Sequence, residues 1–241
     1  MILLRSILFD FLLYLSMVVM GIVLAPAAIW SRDGAYWAMK LYCTWIFFLL
    51  RVLVGLRIDV RGTIPQEPVL VASKHQSFLD IMIHMHSLPR ARFIMKDQLK
   101  WAPIIGVYGM RIGSTPVSRG KKGKAISAML AAESGRGAEG QLVIYPQGTR
   151  TLPGQHLPYK IGAGALYTRM EQTCVPAATN VGVFWARRSW LRKPGLAVVE
   201  YLEPIAPGMG VEPFLAELET RIETASDALM AEAGYEKTPS A

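Results

Sequence analysis

A histidine and an aspartate five residues apart are the pair in this sequence best placed to move a proton. His75 follows the apolar run PVLVASK, and Asp80 lies in the helical pattern that begins at Ser77. If Asp80 accepts a hydrogen bond from one imidazole nitrogen, the other nitrogen is free to act as a general base. The simpler interpretation is a capping box, in which Ser77 and Asp80 satisfy backbone N–H groups at the helix start. The two residues alone leave both interpretations open.

Arginines follow two further apolar strands. The stretch RIGSTPVSRG brings Arg119 to the end of one strand, and QLVIYPQGTR at 141–150 ends on Gly148, Thr149 and Arg150. A guanidinium offers a planar bidentate fork to phosphate, and a neighbouring glycine lets the backbone approach closely. A solvated basic loop is the common alternative. Because ligands usually bind at strand ends in α/β sheets, two such arginines together with His75 predict an anion-binding site.

The remaining histidines and the cysteines do not form a metal-binding pattern. His84 and His86 are two apart on a predicted helix and point away from each other. Cys43 and Cys174 stand alone and far apart, outside any C-x-x-C. We therefore predict no metal and no disulfide framework, and such isolated cysteines indicate a reducing cytosolic environment.

Charge is unevenly distributed along the 241 residues. The net charge is +8, but residues 210–241 contain seven acidic residues against two basic ones, which leaves −5 there and +13 in the rest. A basic body with an acidic end indicates an anionic partner, such as phospholipid headgroups or a phosphorylated substrate. Nucleic acid is disfavoured, because the chain has no nucleic-acid-binding signature and does have long apolar runs.

Two apolar segments open the chain. Residues 11–30 carry no charge and are long enough to span a bilayer, whereas residues 41–56 are shorter and contain Arg51. One interpretation is a spanning helix followed by an amphipathic one, and the other is a hairpin that enters one leaflet and returns. Asp10 and Arg51 make a double span costly, and aromatic residues near the turn favour the hairpin. We expect the segment to be a retained anchor rather than a cleaved signal peptide.

Beyond Gly55, short apolar runs alternate with helical patterns. Strands are predicted at 68–74, 91–96, 109–117, 141–145, 178–184 and 196–202, and helices at 77–86, at 122–133 and from 162 onward. This alternation predicts an α/β sheet packed by helices. Apolar residues spaced 3-4-3-4 from Leu215 to Leu229 predict a final amphipathic helix docked on the body. The predicted organisation is a membrane-associated segment at 1–56, an α/β domain at 57–209, and a C-terminal helix with a short tail at 210–241.

Four short blocks, in order, resemble the motifs of the glycerolipid acyltransferases, the family of PlsC-type 1-acylglycerol-3-phosphate acyltransferases. HQSFLD fits H-x-x-x-x-D, GSTPVSR resembles the second block, YPQGTR resembles F-P-E-G-T-R, and CVPAATN resembles the fourth. The likeness covers residues 55–205. It implies the fold of that family, a central mixed sheet flanked by helices with an N-terminal membrane-docking hairpin.

The resemblance also implies residue roles. In that family the histidine deprotonates a glycerol hydroxyl, which attacks an acyl thioester directly, so His75 is expected to be the base and Asp80 its orienting partner. Lys96 matches a lysine often found at that strand end, and a positive charge there would stabilise the oxyanion of the thioester carbonyl. The substrate phosphate and glycerol are expected to contact the cationic strand ends, at Arg119, Gln147, Gly148, Thr149 and Arg150.

Gln147 departs from the family pattern, which has glutamate at this position. Glutamine keeps one carbonyl acceptor, adds a donor, and removes a negative charge beside the expected phosphate. The change leaves His75 and Asp80 untouched, so activity is still expected. The change from glutamate to glutamine bears on which lyso-lipid accepts the acyl group.

The leading hypothesis is a membrane-bound O-acyltransferase that moves a fatty acyl group from acyl-ACP or acyl-CoA to the 2-hydroxyl of lysophosphatidic acid, giving phosphatidic acid in phospholipid synthesis. The alternatives are the same chemistry on another lyso-lipid, such as a lyso-ornithine lipid or lysophosphatidylcholine, and a catalytically silent lipid-binding protein of the same fold. A serine hydrolase is disfavoured, because the chain has no G-x-S-x-G elbow. The expected partners are a phospholipid membrane at its cytoplasmic face, the lyso-lipid and the thioester carrier, with no cofactor and no metal.

Overall fold

The computed structural model describes residues 1–118, 122–134 and 139–236. Its helices are α1 (Ile2–Val23), α2 (Ala25–Trp30), α3 (Arg32–Leu49), α4 (Leu79–Ser87), α5 (Ile105–Arg111), α6 (Lys122–Ser134), α7 (Ile161–Met170), α8 (Val181–Phe184) and α9 (Val211–Glu232). Its strands are β1 (Leu56–Gly62), β2 (Leu70–Ser73), β3 (Ala91–Lys96), β4 (Thr115–Val117), β5 (Gln141–Ile144), β6 (Cys174–Thr179) and β7 (Gly195–Tyr201). A π-helical turn at Leu50–Val54 extends α3, and a 3-10 helix at Asp97–Trp101 precedes α5.

Within the described residues, the strands form one sheet in the order β1-β7-β6-β2-β5-β3-β4. Neighbouring strands are parallel except for the antiparallel pair β6 and β7. The predicted α/β class, a central mixed sheet flanked by helices, is confirmed. Because β2, β3, β4 and β5 run in the same direction, their carboxyl ends meet at one edge of the sheet. The predicted site residues follow these strands.

The centre of the sheet is buried on both faces. All four residues of β2, Leu70–Ser73, are fully buried. Val71 belongs to a hydrophobic cluster with residues of α1, α3 and α4, whereas Leu70 and Ala72 belong to one with residues of α7 and α9. This two-sided burial is typical of a parallel strand and explains why its sequence is a continuous apolar run. Each such aliphatic side chain contributes about 2 kcal/mol on burial.

Two of the predicted strands are wrong in part. Residues 105–111 form α5, so that only Thr115–Val117 of the stretch 109–117 is a strand. Residues 181–184 form α8, because β6 ends at Thr179. Beyond that point the side chain of Asn180 bonds to β7, with its Oδ1 accepting from Val198 N at 2.7 Å. Strand β1 also had no counterpart among the predicted elements. Short apolar runs fit helix and strand alike, so their packing partners decide between the two.

The N-terminal helices pack against each other and against the α/β body. In the first half of α1, Asp10 forms an ion pair with Arg192 at 2.9 Å, and the rings of Phe9 and Trp185 meet at a right angle. At the turn between the helices, Arg111 donates to the carbonyls of Ala28 and Ile29 at 2.9 and 2.8 Å. The predicted hairpin is present, and it lies along the body.

Much of the hairpin surface is apolar and uncovered. The helices Ile2–Val23 and Arg32–Val54 are long and apolar enough to cross a membrane by length and composition alone. Trp30 at the turn is 89% exposed, and α1 presents many exposed aliphatic side chains. These faces are consistent with membrane association.

The C-terminal helix α9 packs across β6 and α7. Its buried side includes Phe214, Leu218, Ile222 and Leu229, at the spacing of one helical face. Glu223 is also buried on this helix, although it is charged. The division of the chain at residues 56 and 209 stays a prediction from composition.

Candidate active site

The carboxyl edge of the sheet opens into a cavity of about 1000 Å³. Among the residues expected at the site, His75, Lys96, Gly148, Thr149 and Arg150 line this cavity. They come from the ends of three different strands, β2, β3 and β5, which the parallel order of the sheet brings together. Arg119, the expected cation after β4, lies outside the described residues.

Asp80 holds both the backbone that leads into α4 and the side chain of His75. Its Oδ1 lies 2.9 Å from His75 Nδ1, and its Oδ2 accepts from the backbone N–H groups of Gln76 and Ser77, both at 2.8 Å. The carboxyl group is fully buried. One carboxylate oxygen therefore makes the contacts expected of a capping box and the other makes the contact expected of the dyad, whereas the role of His75 as a base stays a prediction.

The geometry determines which imidazole nitrogen can meet a substrate. A carboxylate oxygen only accepts hydrogen bonds, so Nδ1 of His75 carries the proton toward Asp80 and Nε2 is the basic nitrogen. The His75 side chain is 12% exposed and lines the cavity. This is the arrangement required of a general base held in one tautomer.

Tyr145 and Thr151 also hold His75 in place. Its ring stacks on that of Tyr145, with centroids 3.9 Å apart, and its carbonyl accepts from Thr151 N at 2.7 Å. Burial, and next the negative charge of Asp80, raise the pKa of Tyr145 well above its ordinary value, so the phenol stays neutral. The stacking face beside the base therefore carries no charge.

His84, on the helix that also carries Asp80, is a buried neutral histidine. Its Nδ1 lies 2.9 Å from Tyr201 Oη and its Nε2 lies 2.9 Å from Ser73 Oγ. Burial lowers its pKa to about 4. A neutral ring here places no positive charge on the helix that carries Asp80.

Two cations at the cavity were not anticipated from the sequence. Lys160 and Arg187 line the cavity together with Arg150 and Lys96. Arg187 Nη1 donates to the carbonyl of Arg150 at 3.0 Å, so it also holds the turn that carries Arg150. Neither residue follows a strand end in sequence, which is the pattern that identified the others.

Gly148 forms the tight turn between β5 and Arg150. Its φ is +67°, a conformation that L side chains rarely adopt. A β-carbon here would lie 2.8 Å from Lys160 Nζ, so the absent side chain leaves room for that ammonium group. The glycine thus permits both the turn and the approach of a cation to the backbone.

Gln147 does not line the cavity. Its side chain is 1% exposed and donates from Nε2 to Glu223 Oε1 at 2.9 Å, on the side of the turn that faces α9. The expected contact of Gln147 with substrate phosphate or glycerol is therefore not part of this arrangement. Gln147 lies in the turn before Gly148, and this turn places its side chain against α9.

The rest of the cavity is apolar and reaches the hairpin. Its walls include Met17, Met20 and Leu24 from the first helices and Met39 and Tyr42 from α3. A long apolar chain can lie here with its polar end near His75. Among the described residues, no group of three or more His, Cys, Asp or Glu side chains is placed to hold a metal.

Comparison with known proteins agrees with this picture. A family model described as Acyltransferase matches residues 57–180. The chain is 28% identical to the 1-acyl-sn-glycerol-3-phosphate acyltransferase of Pseudomonas aeruginosa, over 95% of this chain and 91% of that protein. It is 32% identical to the 1-acyl-sn-glycerol-3-phosphate acyltransferase alpha of Bos taurus, over 68% of this chain and 59% of that protein.

The fold has a solved counterpart. The crystal structure of the 1-acyl-sn-glycerophosphate acyltransferase PlsC from Thermotoga maritima is similar with a TM-score of 0.77, over 95% of this chain and 97% of that one, at 18% identity. Fold and site together define an α/β enzyme of the O-acyltransferase class. The chain belongs to the Acyltransferase family, and the resemblance indicated by its four sequence blocks is confirmed.

Proposed function

We propose that this enzyme transfers a fatty acyl group from a thioester to the 2-hydroxyl of lysophosphatidic acid, forming phosphatidic acid. The observation that carries the proposal is one cavity that contains a histidine base, several cations and a long apolar wall. Lysophosphatidic acid has the matching parts: a hydroxyl, a phosphate and an acyl chain. The names of the relatives from Pseudomonas aeruginosa and Bos taurus support the same acceptor.

In the proposed reaction His75 Nε2 removes the proton of the acceptor hydroxyl while its oxygen attacks the thioester carbonyl. The resulting tetrahedral intermediate carries a negative oxygen, for which Lys96 is the proposed partner at the cavity wall. Collapse breaks the carbon–sulfur bond, and the protonated His75 returns its proton to the leaving thiolate. Asp80 holds the ring in position and stabilises the imidazolium during the cycle.

The acceptor phosphate is proposed to bind at the cationic part of the cavity. Arg150, Lys160 and Arg187 lie there among the described residues, and Arg119 is assigned to the same role from the sequence. Guanidinium groups bind phosphate oxygens in a bidentate manner, which fixes the glycerol relative to His75. Acyl carrier protein or coenzyme A is the proposed thioester carrier.

The hairpin is proposed to lie in one leaflet at the cytoplasmic face of a membrane. Both the turn of the hairpin, at Ala28 and Ile29, and Asp10 near its start are bonded to the α/β body. Neither place can then cross to the far side of a bilayer while the body stays on the near side. The cavity walls formed by α1 and α3 would receive the acyl chains of lipids from that leaflet.

The test is an acyl-transfer assay of the purified protein with lysophosphatidate and an acyl thioester, beside His75→Ala. Loss of the general base should lower kcat/KM about 10³-fold. His86→Ala is the matched control, since His86 lies outside the cavity, and it should keep wild-type activity. Equal rates for wild type and His75→Ala would contradict the mechanism.

The same assay identifies the acceptor. Lysophosphatidate should be preferred over lysophosphatidylcholine and a lyso-ornithine lipid, because neither has a terminal phosphate for Arg150. Arg150→Ala should raise the KM for lysophosphatidate about tenfold through the loss of a charge-assisted hydrogen bond. Undiminished transfer by Arg150→Ala would remove its assigned role, and preference for another lyso-lipid would replace the proposed acceptor.

A further inference from the structure

The carboxylate of Glu223, on α9, joins three segments that reach the cavity. Lys74 Nζ forms a buried ion pair with Oε2, while Gln147 Nε2 and Tyr159 Oη donate to Oε1 at 2.9 and 3.0 Å. Glu223 itself does not line the cavity. His156 Nδ1 also lies 3.4 Å from Oε2. One carboxylate thus meets four side chains from distant parts of the chain.

Three of these partners are immediate neighbours of residues at the cavity wall. Lys74 precedes His75, Gln147 precedes Gly148, and Tyr159 precedes Lys160. A shift of any donor would therefore move either the base or a part of the cationic wall. A backbone bond also joins two of these segments, with Lys160 N donating to Pro146 O at 2.9 Å.

The residues around the Glu223 carboxylate are largely shielded from solvent, so the charges among them interact strongly. The side chain of Lys74 is 0% exposed and that of Glu223 is 8% exposed. A buried ammonium group needs a partner, and removing that partner leaves an uncompensated charge in a medium of low polarity. Burial, and next the charge of Glu223, raise the pKa of Tyr159, so its hydroxyl stays a donor.

We propose that Glu223 is a positioning residue, which fixes the base His75 relative to the cations that hold the acceptor phosphate. The inference rests on the function proposed above. It also explains glutamine at position 147. Glu223 already supplies the carboxylate for Lys74, so a glutamate at 147 would place two acids beside one ammonium, whereas glutamine donates to Glu223 instead.

The test compares Glu223→Gln, Gln147→Glu and the double variant that carries both changes. Relative to wild type, the first adds one positive charge to the cluster, the second adds one negative charge, and the double variant restores the balance. Glu212→Gln, an exposed position on the same helix, is the matched control. The readouts are kcat and KM for lysophosphatidate at saturating thioester, per folded enzyme, with the folded fraction from circular dichroism.

Glu223→Gln should raise the KM about tenfold and lower kcat, since a small misplacement of reacting groups has large effects. Gln147→Glu should also lose activity, and the double variant should lie closer to wild type than either single variant. Glu212→Gln should behave as wild type. Loss of stability alone would reduce the amount of folded enzyme without changing KM, so the KM separates positioning from folding.

Two results would overturn the inference. One is a folded Glu223→Gln enzyme whose kcat and KM stay within about twofold of wild type, and the other is a double variant no better than Glu223→Gln. If Glu223→Gln does not fold, Tyr159→Phe removes one donor without exposing a charge, and an unchanged KM there overturns the inference as well. A wild-type enzyme inactive on lysophosphatidate would instead remove the proposed function.

Discussion

Single residues at the carboxyl edge of the sheet each satisfy more than one requirement. Asp80 caps its own helix with one oxygen and holds His75 with the other. Arg187 lines the cavity and also holds the backbone of Arg150. Since each group is fixed by a structural bond, little reorganisation is required when a substrate binds, which is what an efficient site needs.

His84 predicts a pH dependence of stability. Its folded-state pKa is about 4, below the ordinary value of 6.5, so between these pH values the unfolded chain binds more protons than the folded one. The contribution of His84 to the free energy of unfolding is therefore fully present above pH 6.5. It is lost as the pH falls toward 4, and the loss amounts to about 3 kcal/mol. Urea unfolding of wild type and His84→Gln at several pH values measures the difference. A variant with the same slope as wild type over this range would exclude the assignment.

The residues predicted from sequence at this scale are those with a local signal. His75 and Asp80 are five apart, and Gly148, Thr149 and Arg150 directly follow a strand. Lys160 and Arg187 lie at the cavity through long-range folding, and no local pattern marks them. Gln147 was expected to contact the substrate, but only the packing of α9 determines that its side chain turns away from the cavity.

At the scale of elements, α1 is attached to the body by a polar contact within an apolar helix. A charge such as that of Asp10 is costly in an apolar segment, and the structure pairs it with Arg192, whose side chain is 8% exposed. Arg192 also lies over the ring of Trp185, at 4.4 Å from the ring centre. The charge in the helix thus fixes how α1 lies on the body.

Asp10→Asn should destabilise the protein by about 2 kcal/mol, because it leaves Arg192 largely buried without its carboxylate. Asp33→Asn is the matched control, since Asp33 pairs with Arg90 on the surface, where both side chains are more than half exposed. That pair should be worth less than about 1 kcal/mol. Thermal unfolding in detergent compares the two variants, and equal losses would show that the Asp10 pair does not hold α1.

Two elements were predicted at or close to their observed bounds. Strand β3 was predicted at the bounds found, and α6 differs by one residue. The predictions failed at 109–111 and 181–184, where helices occur in place of strands. At the first of these Tyr108 donates to Gly21 O of the hairpin at 3.0 Å, a contact that no local pattern encodes.

At the scale of the whole molecule, the hairpin and the α/β body form one unit around a shared cavity. The cavity walls come from α1, α3 and the carboxyl ends of the strands. The part of the cavity that lies along the hairpin is therefore continuous with the part that contains His75. The exposed apolar face of α1 and the exposed Trp30 lie on the outside of the same unit.

Accessibility labelling tests the one-leaflet placement. Cys43 and Cys174 are buried, so Trp30→Cys adds an exposed thiol at the hairpin turn. In spheroplasts of a bacterial host, a membrane-impermeant maleimide should not label this residue from outside. Trp190→Cys, on an exposed loop of the body, should be labelled only in inverted vesicles. Labelling of Trp30→Cys from outside, with Trp190→Cys protected there, would show that the hairpin spans the membrane.

The sequence by itself determined the α/β class, two apolar N-terminal segments, and a histidine–aspartate pair followed by a cationic strand end. Each of these features is encoded by residues close together in the chain. The signals are the period of the hydrophobic residues, the position of a residue at a strand end, and a short spacing between two residues. The tertiary structure alone decided that Lys160 and Arg187 join the cavity, that Gln147 leaves it, and that Glu223 meets Lys74. Such contacts join residues far apart in sequence, and only the stacking of α9 and the loops on the sheet brings them within reach.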